Sequence, residues 1–388
     1  MHALLQIFLF STILSNAGSN PDIYRPEIAE TITVDQSGQG EFTTVQSAID
    51  SIPSGRTAWT IVKINAGRYN EKVTIPRDKQ FIFLQGESAR NTVIQWSDAG
   101  EPFQSTTLTV LAENFKARNI AFKNAYNEVL RRDGKPIERA PAAHIHADKA
   151  SFYQCAFVSL QDTLSDSIGR HYFESCYIKG AIDFIWGRGQ SIYQNCKINA
   201  IAAVLGGTPG YITAQGRESL ESSDGYIFNG GSVVGTGSTY LGRAYREYSR
   251  VVFNGTDFLN IIVPEGWSAW DYTGHEEHIT YAERKCTGPG SDMSRRDTLS
   301  YSIGRHYFES CRIQGLIDFI WGSGHSIYQN SKINAIAAVL GNGPGEYITA
   351  QERDSGENSS GHVFSGRSMV HSTYLGRADR NYLRVMFC

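Results

Sequence analysis

The chain lacks a strong excess of charge of either sign. Its 36 Lys and Arg residues against 39 Asp and Glu residues give a formal net charge of −3, and its pI is near 6.4. Without a basic surplus there is no electrostatic case for a nucleic-acid partner or for binding to an anionic membrane. We therefore expect a monomer that acts on a neutral or sugar-like partner.

Two common catalytic signatures are also missing. No G-x-S-x-G sequence occurs, which argues against a serine hydrolase of the α/β type. His275-Glu276-Glu277-His278 does not have the H-E-x-x-H spacing of a zinc site, and His144 with His146 fits a strand pair better than a metal site. We therefore predict no metal site and no cofactor.

The apolar run at residues 3–14 is too short to span a bilayer. It is followed by Ser15-Asn16-Ala17, which has the small residues of a cleavage site. We predict a secretory signal peptide over residues 1–17, with a buried N-terminal strand as the alternative. The sequons at Asn254 and Asn358 agree with secretion and predict a glycoprotein.

Cysteine is scarce, with six residues in the chain. In an oxidising compartment these residues could form disulfides, and Cys155, Cys176 and Cys196 offer adjacent partners. Buried free thiols that fill a ladder of stacked positions are the alternative. The sequence leaves both interpretations open.

Glycine and aromatic residues are abundant, with 38 Gly, 20 Tyr and 19 Phe, which suits a β-rich fold with tight turns and little helix. The similar tetrapeptides FYQC, FESC and YQNC end at Cys155, Cys176 and Cys196, so they recur about every 20 residues, as in a solenoid. We predict a parallel β-helix in which like positions stack. The β-rich runs at these tetrapeptides are Ser151 to Phe157, His171 to Ile178 and Ser191 to Ile198.

A short N-terminal helix is predicted to close the solenoid. Thr43-Thr44-Val45-Gln46 has the form of a capping box, and Pro53 ends the helix after Ile52. Its apolar face would cover the open end of the β-helix, where unpaired backbone groups invite edge pairing. The other predicted strands are Thr31 to Val34, Ile61 to Ile64, Phe81 to Gln85, Leu108 to Val110 and Ile120 to Phe122.

Two aspartates follow the tetrapeptides at the same spacing, Asp162 after the first and Asp183 after the second. They should be neighbours on adjacent coils, whose backbones lie about 4.8 Å apart. Two carboxylates that close do not both ionise freely, so one pKa should rise and leave a usable acid. Gln161 and the aromatic Phe184 and Trp186 surround the pair, which favours a functional site over hydrogen-bonded aspartates at turns.

Part of the chain is duplicated. Asp297 to Leu340 matches Asp162 to Leu205, and SIGRHYFESC occurs verbatim at 167–176 and 302–311. The second copy has no equivalent of residues 18–161. We predict a β-helix domain over 18–293 and, over 294–388, a partial copy of 162–254 that either adds coils at the C-terminal end of the helix or packs poorly beside it.

Several separated motifs in order resemble the plant pectin methylesterases, a likeness that covers about residues 30–290. This resemblance implies a right-handed parallel β-helix that removes methyl esters from homogalacturonan (pectin) in the cell wall, or apoplast. The motifs are Gln161-Asp162-Thr163-Leu164, Gly180 to Gly187, Tyr240-Leu241-Gly242-Arg243, the GEFTTVQSAIDSIP segment at 40–53, ITAQGR at 212–217 and Glu265-Gly266-Trp267.

The resemblance also implies roles for individual residues. Asp183 would be the nucleophile, and Asp162 would protonate the departing methanol and then activate water. Gln161 would donate a hydrogen bond to the oxyanion. Arg243 would hold Asp183 ionised, whereas the spacing alone would equally allow a surface salt bridge. The residues expected to bind substrate are Tyr245, Trp267 and Phe184.

Two positions depart from the pattern of that family. Tyr245 stands where the family usually has the tryptophan of a GRPW sequence, and tyrosine can still stack on a sugar face. Arg139-Ala140-Pro141-Ala142-Ala143 occupies the stretch of a QAVAL-like segment that commonly supplies a second oxyanion glutamine. These departures bear on oxyanion stabilisation.

Two other functions fit the same features. Paired carboxylates on a β-helix could instead cleave a glycosidic bond of pectin. The departures and the partial second copy would also suit an inactive protein that binds pectin in the wall. Release of methanol without new reducing ends would separate the esterase from both.

Overall fold

The computed structural model describes residues 28–130, 136–273 and 278–291, followed by a series of shorter stretches. The predicted signal peptide, the Asn358 sequon and residues 275–277 lie outside the described residues. The shorter stretches are 299–300, 305–309, 312–315, 320–322, 325–335, 347–351, 361–365, 369–370, 374–378 and 385–387.

The described residues form short strands throughout. The first of them are β1 Ile28–Val34, β2 Trp59–Ile64, β3 Gly67–Asn70, β4 Val73–Ile75, β5 Ile82–Gly86, β6 Thr92–Trp96, β7 Leu108–Val110, β8 Phe115–Arg118, β9 Ala121–Asn124, β10 Ala143–His146, β11 Ala150–Tyr153, β12 Ala156–Val158 and β13 Leu164–Ile168. The middle group is β14 Arg170–Glu174, β15 Tyr177–Gly180, β16 Ile185–Gly187, β17 Gln190–Gln194, β18 Lys197–Ile201, β19 Gly210–Gln215, β20 Gly225–Asn229, β21 Ser232–Thr236, β22 Thr239–Ala244, β23 Arg250–Asn254, β24 Asp257–Phe258, β25 Trp267–Ser268 and β26 Thr280–Arg284. The last group is β27 Leu299–Ser300, β28 Arg305–Glu309, β29 Arg312–Gly315, β30 Ile320–Gly322, β31 His325–Gln329, β32 Lys332–Ala335, β33 Tyr347–Gln351, β34 Gly361–Ser365, β35 Met369–Val370, β36 Tyr374–Ala378 and β37 Val385–Phe387.

These strands stack in three long parallel sheets. From β2 to β25 each coil of the chain contributes one strand to each sheet, so neighbours within a sheet come from successive coils. The first sheet runs β1-β2-β5-β8-β11-β14-β17-β20-β23-β26, and the second runs from β4 through β7, β10, β13, β16, β19 and β22 to β25. The third runs from β3 through β6, β9, β12, β15, β18 and β21 to β24. The fold is the predicted right-handed parallel β-helix.

A short helix lies at the N-terminal end, as predicted. Helix α1, Val45–Ser51, buries Val45, Ala48 and Ile49 and contacts strands β1, β2 and β4. Its cap lies one residue later than predicted. Thr44 is the N-cap and its hydroxyl accepts from the Ser47 backbone N–H, whereas Gln46 reaches away to Asp50 and to the β4 backbone. The remaining helical segments are α2 Pro102–Ser105, α3 Tyr126–Leu130 and the 3₁₀ turns Ala202–Leu205 and Trp270–Tyr272.

An aromatic stack runs through the core along the first sheet. Phe152 lies 5.1 Å from Phe173, which lies 4.7 Å from Tyr193, with ring planes within 7° of parallel in both pairs. Tyr193 continues onto Phe228 at 4.5 Å. The first three of these rings are the first residues of the repeated tetrapeptides, and offset stacking contributes about 0.5–1.5 kcal/mol per pair beyond area burial.

The three β-rich runs predicted at the tetrapeptides are each two strands, not one. The residue before the cysteine turns the chain from the first sheet to the third in the left-handed region, with φ of 53° at Gln154, 53° at Ser175 and 51° at Asn195. The following cysteine points inward as a buried free thiol, and the described Cys155, Cys176 and Cys196 form no disulfide. Cys311 and Cys388 lie outside the described residues.

The duplicated segment continues the first sheet. Strand β28 pairs with β26, with Thr280 opposite Arg305, and the sheet goes on through β31 and β34 to β37. The pentapeptide RHYFE therefore occupies strands of the same sheet at β14 and at β28. Two smaller parallel sheets, β27-β30-β33-β36 and β29-β32-β35, stand beside it.

Across the described residues, we find no helix with the length and apolar character needed to cross a membrane.

Candidate active site

The structure brings Asp162 and Asp183 together on adjacent coils. They immediately precede the second-sheet strands β13 and β16, and the Asp162 backbone N–H donates to the Ile182 carbonyl at 3.1 Å. Both residues adopt left-handed φ angles, 59° and 46°, which aspartate tolerates better than most residues. Strand stacking therefore places the two carboxylates at equivalent bends of adjacent coils.

Arg243 binds Asp183 from two coils further on. It lies on β22, and its Nε donates to Asp183 Oδ1 at 2.8 Å while Nη2 contacts Oδ2. The two side chains are only 17% and 11% exposed, so this is not the surface salt bridge that the spacing alone allowed. The guanidinium also lies between two aromatic faces, with its carbon 4.5 Å from the Tyr211 ring and 3.7 Å from the Trp270 ring.

The electrostatic environments of the two aspartates differ. Burial, and next the charge of Asp183, raises the pKa of Asp162 to about 7, against smaller opposing effects of Arg139 and Arg243. Burial also raises the pKa of Asp183, but the hydrogen bonds and charge of Arg243 oppose this. A carboxylate that accepts a bidentate guanidinium leaves little room for a proton, so Asp183 is the partner that stays ionised.

Gln161 and Arg139 lie beside Asp162. Gln161 is half-buried and bridges in parallel with Ile182, and its carbonyl accepts from the Ala140 N–H at 3.3 Å. Arg139, next to Ala140, is an exposed side chain whose Nε lies 4.0 Å from Asp162 Oδ2. Sequence reasoning noted Arg139 only as a departure, and its proximity to the pair depends on the stacking of two coils.

Two residues expected to bind substrate lie in the core instead. The Phe184 ring is completely buried and its Cβ lies directly over Gly180, where any side chain would clash with it. Trp267 is 4% exposed, stacks on Tyr281 at 4.2 Å and donates its indole N–H to Glu283 at 3.2 Å. Both rings face the core because the backbone bends just before each of them, at Asp183 and at Gly266 (φ 67°).

Exposed aromatic residues flank the pair on two sides. On one side are Tyr245, 38% exposed, and Trp270, 39% exposed, with ring centroids 5.8 Å apart. On the other are Phe103, 54% exposed, and Trp186, 6.2 Å apart. The Trp186 indole N–H also donates to the Asp162 carbonyl at 3.1 Å. Sequence reasoning missed Phe103 and Trp270, which lie outside the recognised motifs.

The two histidines singled out in the sequence lie on β10, as the strand-pair interpretation expected. His144 shares a hydrogen bond with Ser165 at 2.9 Å, and Phe103 covers it at 4.7 Å. Burial lowers the pKa of His144 to about 4, so its imidazole is neutral near pH 7. Within the described ranges, no three His, Cys, Asp or Glu residues are grouped so as to hold a metal ion.

Comparisons with known proteins point to one family. The family model described as Pectinesterase matches residues 31–299 and again 295–388. An Arabidopsis thaliana protein described as "Probable pectinesterase 55" is 47% identical over 270 residues, which cover 68% of this chain and 81% of the relative.

Comparison with solved structures points to the same family. The pectin methylesterase from carrot superposes with a TM-score of 0.63 at 28% identity, covering 71% of this chain and 86% of that one. A mutant pectin methylesterase in complex with a hexasaccharide superposes with a TM-score of 0.59 at 25% identity, covering 70% and 92%. With its β-helix and its arginine-held aspartate pair, the chain belongs to the pectinesterase family and is a carboxylic ester hydrolase that acts on the methyl esters of pectin.

Proposed function

We propose that Asp183 and Asp162 carry out this hydrolysis in two half-reactions. In the first, a carboxylate oxygen of Asp183 attacks the carbonyl carbon of a galacturonate methyl ester, and the carbonyl π electrons move onto oxygen. The tetrahedral intermediate then collapses and its bond to the methoxy oxygen breaks. Asp162 gives its proton to that oxygen, so methanol leaves and an acyl anhydride with Asp183 remains.

In the second half-reaction Asp162, now a carboxylate, takes a proton from water while the water oxygen attacks the anhydride carbonyl. The second tetrahedral intermediate collapses by breaking the bond to Asp183. The products are the free acid of the sugar, an ionised Asp183 and a protonated Asp162. Gln161 donates to the carbonyl oxygen in both tetrahedral intermediates.

The observation that carries this assignment is that the two carboxylates have different surroundings. Arg243 gives both of its contacts to Asp183, which suits a nucleophile. Burial and the neighbouring charge hold the pKa of Asp162 at about 7, which suits a group that must donate a proton near neutral pH. Pairs of titratable groups whose environments separate their pKa values mark acid and base roles.

The aromatic residues on both sides of the pair support a polysaccharide chain lying across the second sheet. Tyr245 and Trp270 on one side and Phe103 and Trp186 on the other offer flat faces for sugar rings. The hexasaccharide bound by the structurally similar enzyme is a ligand of this kind. Of the three substrate-binding residues predicted from the sequence, we retain Tyr245.

We further propose that the protein is a secreted, monomeric enzyme of the cell wall with a signal peptide over residues 1–17. Family membership supports the location. Asn254 is a poor glycosylation acceptor, because its side-chain nitrogen donates to Asn229 at 2.5 Å and its oxygen accepts from Arg284 at 3.0 Å. Asn358 remains the sequon through which the protein would be a glycoprotein.

We also propose that residues 294–388 add coils to the C-terminal end of a β-helix domain over 18–293. The pairing of β26 with β28 supports this, because it covers the edge that β26 would otherwise expose.

The test is the substitution Asp183→Asn in the full-length protein, with methanol and new reducing ends measured on highly methylesterified pectin. We expect methanol from the wild type, none from the variant and no reducing ends from either. Asp148→Asn is the matched control, because Asp148 also pairs with an arginine, Arg170, but on the first-sheet side. Methanol release at the wild-type rate by the folded Asp183 variant would refute the assignment.

A further inference from the structure

Arg139 is held next to the catalytic pair by a well-anchored backbone. Its carbonyl accepts from the Gly100 N–H at 3.1 Å, and the following residue, Ala140, donates to Gln161. The preceding residue, Glu138, exchanges two hydrogen bonds with the side chain of Asn127, at 2.8 and 2.9 Å. The position of Arg139 is therefore fixed by three neighbouring segments, although its side chain is 64% exposed.

The two arginines at the site are engaged differently. Arg243 gives both carboxylate contacts to Asp183 and is covered by aromatic rings on both faces. Arg139 approaches Asp162 from the opposite end of the pair, and its Nε stays 4.0 Å from Oδ2, beyond hydrogen-bond distance. Among the described residues, Asp162 is the only ion-pair partner of Arg139. No hydrogen bond from the Arg139 guanidinium to another described residue is present, so its N–H donors remain available to a ligand beside Asp162.

The place of Arg139 is also chemically informative. It directly precedes Ala140, whose backbone N–H donates to the Gln161 carbonyl, so Arg139 and Gln161 are neighbours on adjacent coils. A guanidinium offers five N–H donors and a permanent charge, whereas an amide offers two donors and none. A charged donor near a developing oxyanion, in a site partly closed to water, stabilises it more than a neutral one does.

We propose that Arg139 is a further catalytic residue of this esterase, and that its guanidinium donates an N–H to the carbonyl oxygen of the scissile ester as negative charge builds there. Arg139 acts together with Gln161, one coil away. It transfers no proton and remains a cation throughout. This inference rests on the proposed function, because it requires Asp183 and Asp162 to flank the same ester.

A second effect follows from the charge. The charged groups facing Asp162 are Asp183 on the next coil, Arg243 on β22 and Arg139. Arg139 and Arg243 lower the pKa of both aspartates against the effect of burial. Removing the Arg139 charge should raise both pKa values, so both limbs of the pH profile of kcat should move to higher pH.

The experiment compares the full-length wild type with Arg139→Ala, Arg139→Gln and Arg139→Lys, with methanol release measured as a function of pH. We expect kcat to fall about a hundredfold in the Ala variant and about tenfold in the Gln variant, which restores an amide donor. KM should change little. The Lys variant should keep the wild-type pH profile, whereas the Ala and Gln profiles should shift upward.

Arg170→Gln is the matched control, since Arg170 is 60% exposed and also pairs with an aspartate, but on the first sheet. It should leave kcat and the pH profile unchanged. A wild-type kcat and pH profile in Arg139→Ala would overturn the proposal. So would an effect confined to KM that grows as the pectin carries more free carboxylates, which would make Arg139 a binding residue for galacturonate. A wild type that releases no methanol would instead overturn the proposed function itself.

Discussion

Asp162→Asn should make the protein inactive and, above neutral pH, more stable. The raised pKa of Asp162 means that the folded protein holds this proton more tightly than the unfolded chain does. As the pH rises from the ordinary value of 3.8 towards about 7, the unfolded chain loses the proton first, so the stability of the wild type falls across that window. Asparagine has nearly the same shape and does not titrate, so the variant should not show this fall.

The magnitude follows from the same values. Each pKa unit corresponds to about 1.4 kcal/mol, so a rise from 3.8 to about 7 corresponds to roughly 4 kcal/mol of destabilisation once Asp162 is ionised. The side chain is only 12% exposed, so solvent screening reduces this little. We treat about 4 kcal/mol as an upper value, because the charge of Asp183 contributes to the shift.

The measurement is urea unfolding of wild type and variant, followed by tryptophan fluorescence, at several values between about pH 4 and about pH 8. The informative quantity is the change of the stability difference with pH, since any fixed cost of the substitution cancels. That difference should grow in favour of Asp162→Asn as the pH rises.

Asp148→Asn provides a control of opposite sign. Hydrogen bonds from Arg170 hold the pKa of Asp148 well below its usual range. It therefore contributes stability that is present above the unfolded pKa and is lost only at strongly acidic pH. Its variant should be slightly less stable by a constant amount from about pH 5 to about pH 8. A constant difference for Asp162→Asn as well would refute the reasoning.

Three further outcomes are expected. Gln161→Ala should lower kcat by about a hundredfold with little change in KM, because its hydrogen bond strengthens only as charge builds on the carbonyl oxygen; an effect on KM alone would contradict that role. Trp270→Ala should raise KM and lower kcat several-fold by uncovering Arg243, whereas Trp96→Ala, a tryptophan of similar exposure on the third sheet, should change neither. The double variant with Asp297→Asn and Asp318→Asn should keep wild-type methanol release, and loss of most activity in a folded protein would show that the second copy takes part in catalysis.

The solenoid could be predicted because its signal lies in residues that face the core. The first residue of each tetrapeptide, which is aromatic, and its cysteine both point inward. The interval at which they recur is therefore the length of one coil. Strand boundaries were harder, because the bend between two strands is made by Gln154, Ser175 or Asn195 in a left-handed conformation. None of these is glycine, so composition does not mark the turn.

The direction in which a single side chain faces was also hard to predict at this kind of bend. A regular strand alternates its side chains, which would turn Phe184 and Ile185 to opposite faces. The strand begins only at Ile185, so Phe184 still belongs to the bend that starts at the left-handed Asp183, and both of these side chains are buried while Trp186 is partly exposed. Nearness in sequence to Asp183 was therefore a poor guide to which aromatic rings are exposed. Phe103 lies in a four-residue helix and Trp270 in a 3₁₀ turn, and both elements are too short to show a period in the sequence.

The duplicated segment shows how much of the site the coil sequence specifies. In the first copy Trp186, Ala214 and Arg243 lie in register across β16, β19 and β22. In the second copy Trp321, Ala350 and Arg377 lie in the same register across β30, β33 and β36.

The second copy therefore repeats the strand register that positions the arginine in the first copy. What the second copy does not repeat lies upstream. The sequence of residues 18–161 is not repeated, so the duplication includes no copy of Arg139, and Arg296 stands in the place of Gln161. Asp297 and Asp318 lie outside the described residues. The second copy therefore repeats neither of the oxyanion donors proposed above, and for that reason we expect it to be silent while its described strands still extend the sheet.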